Sequence, residues 1–181
     1  MTHLANLITI SRIILILPVL LLISEEKSLS NWFALILFVL AGITDNLDGY
    51  IARKTGTETS IGALLDLMAD KLLVVIISSY LVSYTTNKIL VVPTLIIIFR
   101  ELVISSFRQF LTERQGSNPI QVSFIAKSKT TLQITALSFL IISPNFGDYF
   151  YYLTIVLFYL ATIVSLYSLY GYLKNYKNYI K

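Results

Sequence analysis

Six long apolar runs, each renewed after a short polar break, decide what this chain can become. They extend from about Leu4 to Ser24, Trp32 to Ile51, Ile61 to Tyr84, Ile89 to Phe110, Gln121 to Ser143 and Tyr149 to Leu173. Runs of roughly twenty apolar residues cross a bilayer as helices, because a helix satisfies its own backbone donors and acceptors. Strict period-two alternation, the mark of a lipid-facing barrel strand, is missing from them. Only 13% of the 181 residues are charged, against about a quarter in soluble domains. The mean hydropathy is +0.76. The expectation is an all-α polytopic membrane protein, a single domain over residues 1–181, with six transmembrane helices. The first run lacks a basic stretch before it and a small-residue cleavage site after it, so it is expected to remain as the first span.

The basic residues set the orientation. Of the 14 Lys and Arg, 12 fall on the side holding the N-terminus, the second-to-third loop, the fourth-to-fifth loop and the C-terminus: Arg12, Arg53, Lys54, Lys71, Arg100, Arg108, Arg114, Lys127, Lys129, Lys174, Lys177 and Lys181. Lys27 and Lys88 lie on the other. The positive-inside rule therefore places both termini in the cytosol, as a multi-pass protein of the cell (inner) membrane. Every deep ionisable residue then belongs to the cytosolic half, which predicts a cytosol-facing polar chamber with an apolar floor. Asn6, Thr9 and Arg12 recur every third residue, which places the first turns near the interface. Tyr149, Tyr151, Tyr152, Tyr170 and Tyr172 fit interfacial belts. The net charge of +4 is modest and clustered at segment ends, favouring orientation and anionic-ligand binding over nucleic acid. With no cysteine, thiolate nucleophiles and cysteine-ligated zinc are excluded.

Against this apolar background Asp45, Asp48, Asp66 and Asp70 stand out. Four uncompensated carboxylates at membrane depth would cost on the order of 10 kcal/mol, so a cation must be held there. On a helix Asp45 and Asp48 lie about 60° apart in projection, and Asp66 and Asp70 about 40°, so each pair shares a face. Two such pairs on adjacent antiparallel helices can form a hard oxygen cluster suited to Mg²⁺ or Mn²⁺. Four carboxylates suffice for two divalent cations ~3.5–4 Å apart, the arrangement that clamps a phosphoryl group. Ion pairing with Arg53, Lys71 and the other basic residues is the structural alternative. Gly49 and Gly62 permit close approach of a helix or a phosphate.

The pattern Asp45-x-x-Asp48-Gly49-x-x-Ala52-Arg53, eight further residues, then Gly62-x-x-x-Asp66-x-x-x-Asp70 resembles the signature of the CDP-alcohol phosphotransferase family at every defined position. The resemblance implies a six-span membrane enzyme, a homodimer, that joins an alcohol to the phosphatidyl group of CDP-diacylglycerol and releases CMP. It implies that Asp45, Asp48 and Asp66 ligate metal, and that Asp70 is a ligand or the base that deprotonates the acceptor hydroxyl. It places Asp48, Gly49, Ala52, Arg53 and Gly62 at the donor's cytidine diphosphate. The donor's acyl chains stay in lipid, so the chamber must open laterally to the bilayer.

The acceptor is read from other residues. Arg100 and Arg108 lie about 80° apart in projection on the fourth span, and Lys127 and Lys129 open the fifth. Four cations at one depth suggest an acceptor that carries its own phosphate. Asn6-Leu-Ile-Thr9-Ile-Ser-Arg12, Phe99-Arg100-Glu101 and Lys127-Ser-Lys129-Thr130 with Gln133 resemble the bacterial family branch whose acceptor is sn-glycerol 3-phosphate. Leu67 and Ala126 depart from the family's usual residues, and neither is a charged position. Inositol phosphate, serine or phosphatidylglycerol as acceptor stays open within the family. From another class, the carboxylates could serve an ion-coupled membrane carrier. Glu101 is expected to pair with a Lys or Arg elsewhere rather than with Arg100, because adjacent helical residues do not face each other.

Overall fold

In the computed structural model the backbone is described for residues 2–55, 60–85, 88–115 and 124–180, and side chains for residues 9–44, 62, 65, 68–69, 71–85, 88–107, 109–110 and 128–174. Six α-helices form within these limits: α1 (Thr2–Ser24), α2 (Ser28–Thr55), α3 (Ser60–Tyr84), α4 (Val91–Gln115), α5 (Phe124–Ile142) and α6 (Asp148–Ile180). Short 3₁₀ turns at Lys88–Leu90 and Ser143–Asn145 precede α4 and α6. Among the described residues there is no strand. The fold is all-α.

The helices follow the apolar runs closely, with three differences at their ends. Arg53, Lys54 and Thr55, expected in a loop, continue α2. The stretch through Gln115, expected in the fourth-to-fifth connection, continues α4, and the basic tail continues α6 to Ile180. Lys and Arg are good helix formers, so polarity alone does not end a helix. Proline is accommodated where it costs least in α4, at Pro93 in the first turn, while Pro18 interrupts the hydrogen-bond ladder inside α1.

Each helix buries one stripe. Ile16, Val19 and Ile23 of α1 meet Ala34, Phe38 and Ala41 of α2, Leu73, Ile77 and Leu81 of α3, Leu137 and Ile141 of α5, and Phe158 and Ala161 of α6 in one core. The spacings of three, four and seven are those of a single helical face. α1 packs chiefly on α2 and α3, α5 on α6 and α2, and α4 on α6. Gly42 lets α2 approach α5 closely, since a Cβ there would sit 3.2 Å from Ile134 Cδ1.

The opposite faces are apolar too. Ile10, Ile14, Leu17 and Leu21 of α1, Leu95, Phe99 and Leu102 of α4, and Val156, Leu160 and Ile163 of α6 are exposed. Helices that are hydrophobic all round belong in lipid. Among the described residues, the helical stretches Lys88–Phe107 and Asp148–Lys174 are long and apolar enough to cross a membrane. Thr9–Ser24, Ser28–Thr44 and Lys71–Tyr84 are shorter apolar helical segments.

One end of the bundle gathers the α1–α2 turn, the start of α4 and the α5–α6 turn. Asn31 Nδ2 donates to Asn145 Oδ1 at 2.9 Å, Asn145 Nδ2 to the Ser28 carbonyl at 3.1 Å, and Tyr159 Oη to the Ile89 carbonyl at 2.9 Å. Trp32 meets Phe146 edge-on, with ring centroids 6.3 Å apart. Tyr149, Tyr152 and Tyr170 are exposed, as a belt requires, whereas Tyr151 packs against the core.

Candidate active site

The acidic motif occupies two helical ends remote from that neutral cluster. Asp45, Asp48, Gly49, Ala52 and Arg53 lie on the last turns of α2, and Gly62, Asp66 and Asp70 on the first turns of α3. Both segments are continuous helix, which is the condition for the face-sharing argued from spacing. Gly62 is half-buried. The side chains of Asp45, Asp48, Arg53, Asp66 and Asp70, and of Ala52 and Gly49 with them, lie outside the described residues. Arg108 on α4 and Lys127 on α5 do as well. Among the described residues no group of three or more potential metal ligands occurs.

Of the four cations expected at the acceptor, Arg100 and Lys129 have described side chains. These two residues are 3% and 5% exposed, deep for charged side chains. They converge on a single carboxylate oxygen: Arg100 Nη1 donates to Glu101 Oε1 at 3.1 Å, and Lys129 Nζ donates to the same oxygen. Arg100 Nη2 donates to Ser168 Oγ at 2.8 Å. The cluster thus draws on α4, α5 and α6 at one level of the bundle. Glu101 pairs with a lysine from another helix, as expected. It also pairs with its sequence neighbour, which was not expected. Adjacent residues project about 100° apart, yet the long arginine chain bends round its helix to close that gap.

One turn from Lys129 on α5, and one turn from Ser168 on α6, lie two further buried polar groups. Gln133 is 1% exposed and Ser165 fully buried, and neither Gln133 Nε2 nor Ser165 Oγ has a hydrogen-bond partner among the described residues. Unpaired buried polar atoms are costly, and they mark places where water or a polar ligand completes the bonding. On α1, Thr9 and Arg12 are also buried. The described part of the polar face of α1, Thr9 and Arg12, therefore points into the bundle, in which α1 packs on α2 and α3. Burying that face while exposing Ile10 and Ile14 is the arrangement lipid selects.

Sequence reasoning missed Ser168 and undervalued Glu101. Serine on an apolar helix gives no periodic signal, and only the packing of α6 on α4 reveals its partner. Glu101 carried a signal, since a carboxylate after the run LIIIF needs a cation, but spacing alone could not name two.

The described residues form an all-helical bundle with two helical stretches long and apolar enough to cross a membrane, and the acidic motif lies toward one end of it. A model of the CDP-alcohol phosphatidyltransferase family matches residues 2–167. The chain is 40% identical over 182 residues, 99% of each chain, to the CDP-diacylglycerol–glycerol-3-phosphate 3-phosphatidyltransferase of Rickettsia typhi. It is 34% identical over 171 residues to the Escherichia coli protein of that name, covering 94% of this chain and 93% of the relative. The chain belongs to the CDP-alcohol phosphatidyltransferase family.

Proposed function

We propose that this chain transfers the phosphatidyl group of CDP-diacylglycerol to sn-glycerol 3-phosphate, giving phosphatidylglycerophosphate and CMP. The names of the full-length relatives support the reaction. The observation on this chain that carries the choice of acceptor is the meeting of Arg100 and Lys129 from different helices at one buried level. Serine, with a singly charged carboxylate offset by its own ammonium, gives less reason to hold two cations there than a phosphate does.

The roles follow from the chemistry of each group. Asp45, Asp48, Asp66 and Asp70 are an all-oxygen donor set, which fits the divalent cations that the family generally uses, and Mg²⁺ or Mn²⁺ are the ions such donors select. When bound, two such ions would neutralise the donor's diphosphate and stabilise the charge that develops on departing CMP. Arg53 adds a fixed positive charge toward the same diphosphate. Asp48, Gly49, Ala52 and Gly62 shape the cytidine diphosphate site, the glycines by admitting close approach. Arg100, Arg108, Lys127 and Lys129 hold the acceptor's phosphate and so bring its hydroxyl to the donor. Asp70 takes the hydroxyl proton as the oxygen attacks the phosphatidyl phosphorus; the bond to the CMP oxygen breaks, and CMP leaves with the electron pair.

This reading places the reaction in a polar chamber on the cytosolic side of six spans, with both termini in the cytosol, in the cell (inner) membrane, and in a homodimer. The distribution of basic residues supports the orientation. Purified protein in detergent, given CDP-diacylglycerol, Mg²⁺ and glycerol 3-phosphate, should release CMP and form phosphatidylglycerophosphate. CMP release that depends on inositol phosphate, serine or phosphatidylglycerol instead would move the acceptor while keeping the family. Metal-independent ion flux in vesicles without CMP release would replace the reading by a carrier.

A further inference from the structure

Glu101 and Ser168 belong to no part of the acid motif and to no cation of the acceptor pocket, yet both touch those cations. Glu101 Oε1 accepts from Arg100 Nη1 and from Lys129 Nζ, and Ser168 Oγ accepts from Arg100 Nη2. We propose that Glu101 and Ser168 are positioning residues, which fix the Arg100 guanidinium and the Lys129 ammonium in the geometry that receives the acceptor's phosphate. The proposal rests on the acceptor-pocket reading above.

The guanidinium is planar, and its two terminal nitrogens are held from different directions. Nη1 is anchored on its own helix and Nη2 on α6, so rotation about the end of the side chain is stopped. Lys129 is a flexible point charge on a four-carbon stem, and the Glu101 carboxylate is one group that holds it in place. Glu101 itself is mostly buried, with 15% side-chain exposure, so its charge is little screened by water. A ligand meeting cations already in place does not have to order them on binding, and affinity rises accordingly.

A carboxylate beside a phosphate site could act in the opposite sense, by competing with the phosphate for the same cations. The two roles predict opposite changes when the charge is removed. If Glu101 positions, loss of its charge weakens acceptor binding; if it competes, the same loss strengthens it.

The experiment is steady-state kinetics of Glu101→Gln, Glu101→Asp and Ser168→Ala in detergent, beside Arg100→Ala and Lys129→Ala. Glu101→Gln should raise KM for glycerol 3-phosphate by about fivefold or more, with kcat within about twofold and KM for CDP-diacylglycerol unchanged. Ser168→Ala should give a smaller rise, about two- to threefold. Lys129→Ala added to Glu101→Gln should raise KM by less than it does alone, because the two residues are in direct contact and the pair is already broken. Should Glu101→Gln not yield folded protein, Glu101→Asp keeps the charge while shortening the reach, and the same rise in acceptor KM is expected of it. An unchanged or lowered acceptor KM in the glutamate variants, with Arg100→Ala and Lys129→Ala raising it, overturns the positioning role and leaves the pocket standing. Unchanged acceptor KM in Arg100→Ala and Lys129→Ala themselves overturns the pocket, and the positioning role with it.

Discussion

The two ends of this bundle both contain polar side chains in an apolar protein, and they handle them in opposite ways. At the neutral end, where the buried polar groups are uncharged and Glu25 and Lys27 are exposed, the amides of Asn31 and Asn145, the Ser28 carbonyl, and the Tyr159 hydroxyl with the Ile89 carbonyl pair with one another. Trp32, Phe146 and Phe150 form an aromatic cluster at the same end, the last two with centroids 4.6 Å apart. Near the other end, Arg100 and Lys129 share Glu101, and Gln133 Nε2 and Ser165 Oγ are buried without a partner among the described residues. The first arrangement pairs neutral groups with one another, although Thr94 Oγ1 and Tyr151 Oη near it are also buried without a partner among the described residues. The second also leaves bonding capacity over, in the place where carboxylates and cations are too expensive to keep for packing alone. In a protein that is apolar on both the inner and outer faces of its helices, the difference lies in buried charge: Arg100 and Lys129 are buried at one end, and the buried polar groups of the other are neutral.

The sharpest way to test that distinction is to remove charge from the end that carries the acidic motif. Asp70→Asn should lower kcat by about 10³-fold or more while the donor still binds, because an amide cannot take the hydroxyl proton. Turnover and single-turnover CMP release measure it; near-normal turnover with metal and donor bound would sink the role of Asp70 as base. Chelation of divalent cations should abolish CMP release, with recovery on adding Mg²⁺ or Mn²⁺. Next in size, Arg108→Ala or Lys129→Ala should raise the acceptor KM by at least about tenfold and spare donor binding. Acceptor kinetics unchanged in both would erase the contrast between the two ends as drawn here.

How much of that contrast was legible beforehand follows from what each residue needs. The six helices were legible because an apolar run of membrane length has one fold available to it. Their polar ends were not, since Arg53 to Thr55 read as loop and continue α2. The direction each helix faces was also hard to see. Periodicity reports a buried stripe only when the other face is polar, and here Ile14 faces outward with the same hydropathy that Ile16 carries inward. Thr9 and Arg12 are likewise buried beside an exposed Ile10, and Tyr151 packs against the core beside an exposed Tyr152. The charged residues announced themselves by cost, but cost names no partner. The link from Arg100 to Ser168 spans 68 positions in sequence and exists only because α6 packs on α4.

At the neutral end the expected effects are on stability alone. Asn145→Ala strands the amide of Asn31, which is 2% exposed. A buried donor left without an acceptor costs about 1–3 kcal/mol. Thermal unfolding in detergent should shift down by a corresponding amount, with kcat and both KM values of the folded protein unchanged. Replacing both asparagines by leucine should recover part of the loss, since neither partner is then stranded. A change in acceptor KM would show that the neutral end reaches the site, and the two ends could no longer be treated separately.

Gly42 tests the boundary between them with the smallest effect. It sits on α2 one turn before Asp45, against Ile134 of α5. A methyl group there would press on Ile134 Cδ1, the movable end of a side chain, and a shift of a few tenths of an ångström relieves it. Alanine also favours helix over glycine by about 1 kcal/mol in an exposed helix interior. The two effects oppose each other, so Gly42→Ala should leave the unfolding temperature nearly unchanged. Gly42→Leu has no such relief: it must part α2 from α5, and overpacking of that kind costs about 1–3 kcal/mol. If the ends are independent, that loss appears as lower stability with an unaltered acceptor KM. If Gly42→Leu instead raises acceptor KM at unchanged stability, the α2–α5 contact is itself part of what aligns the acid motif on α2 with Lys129 on α5.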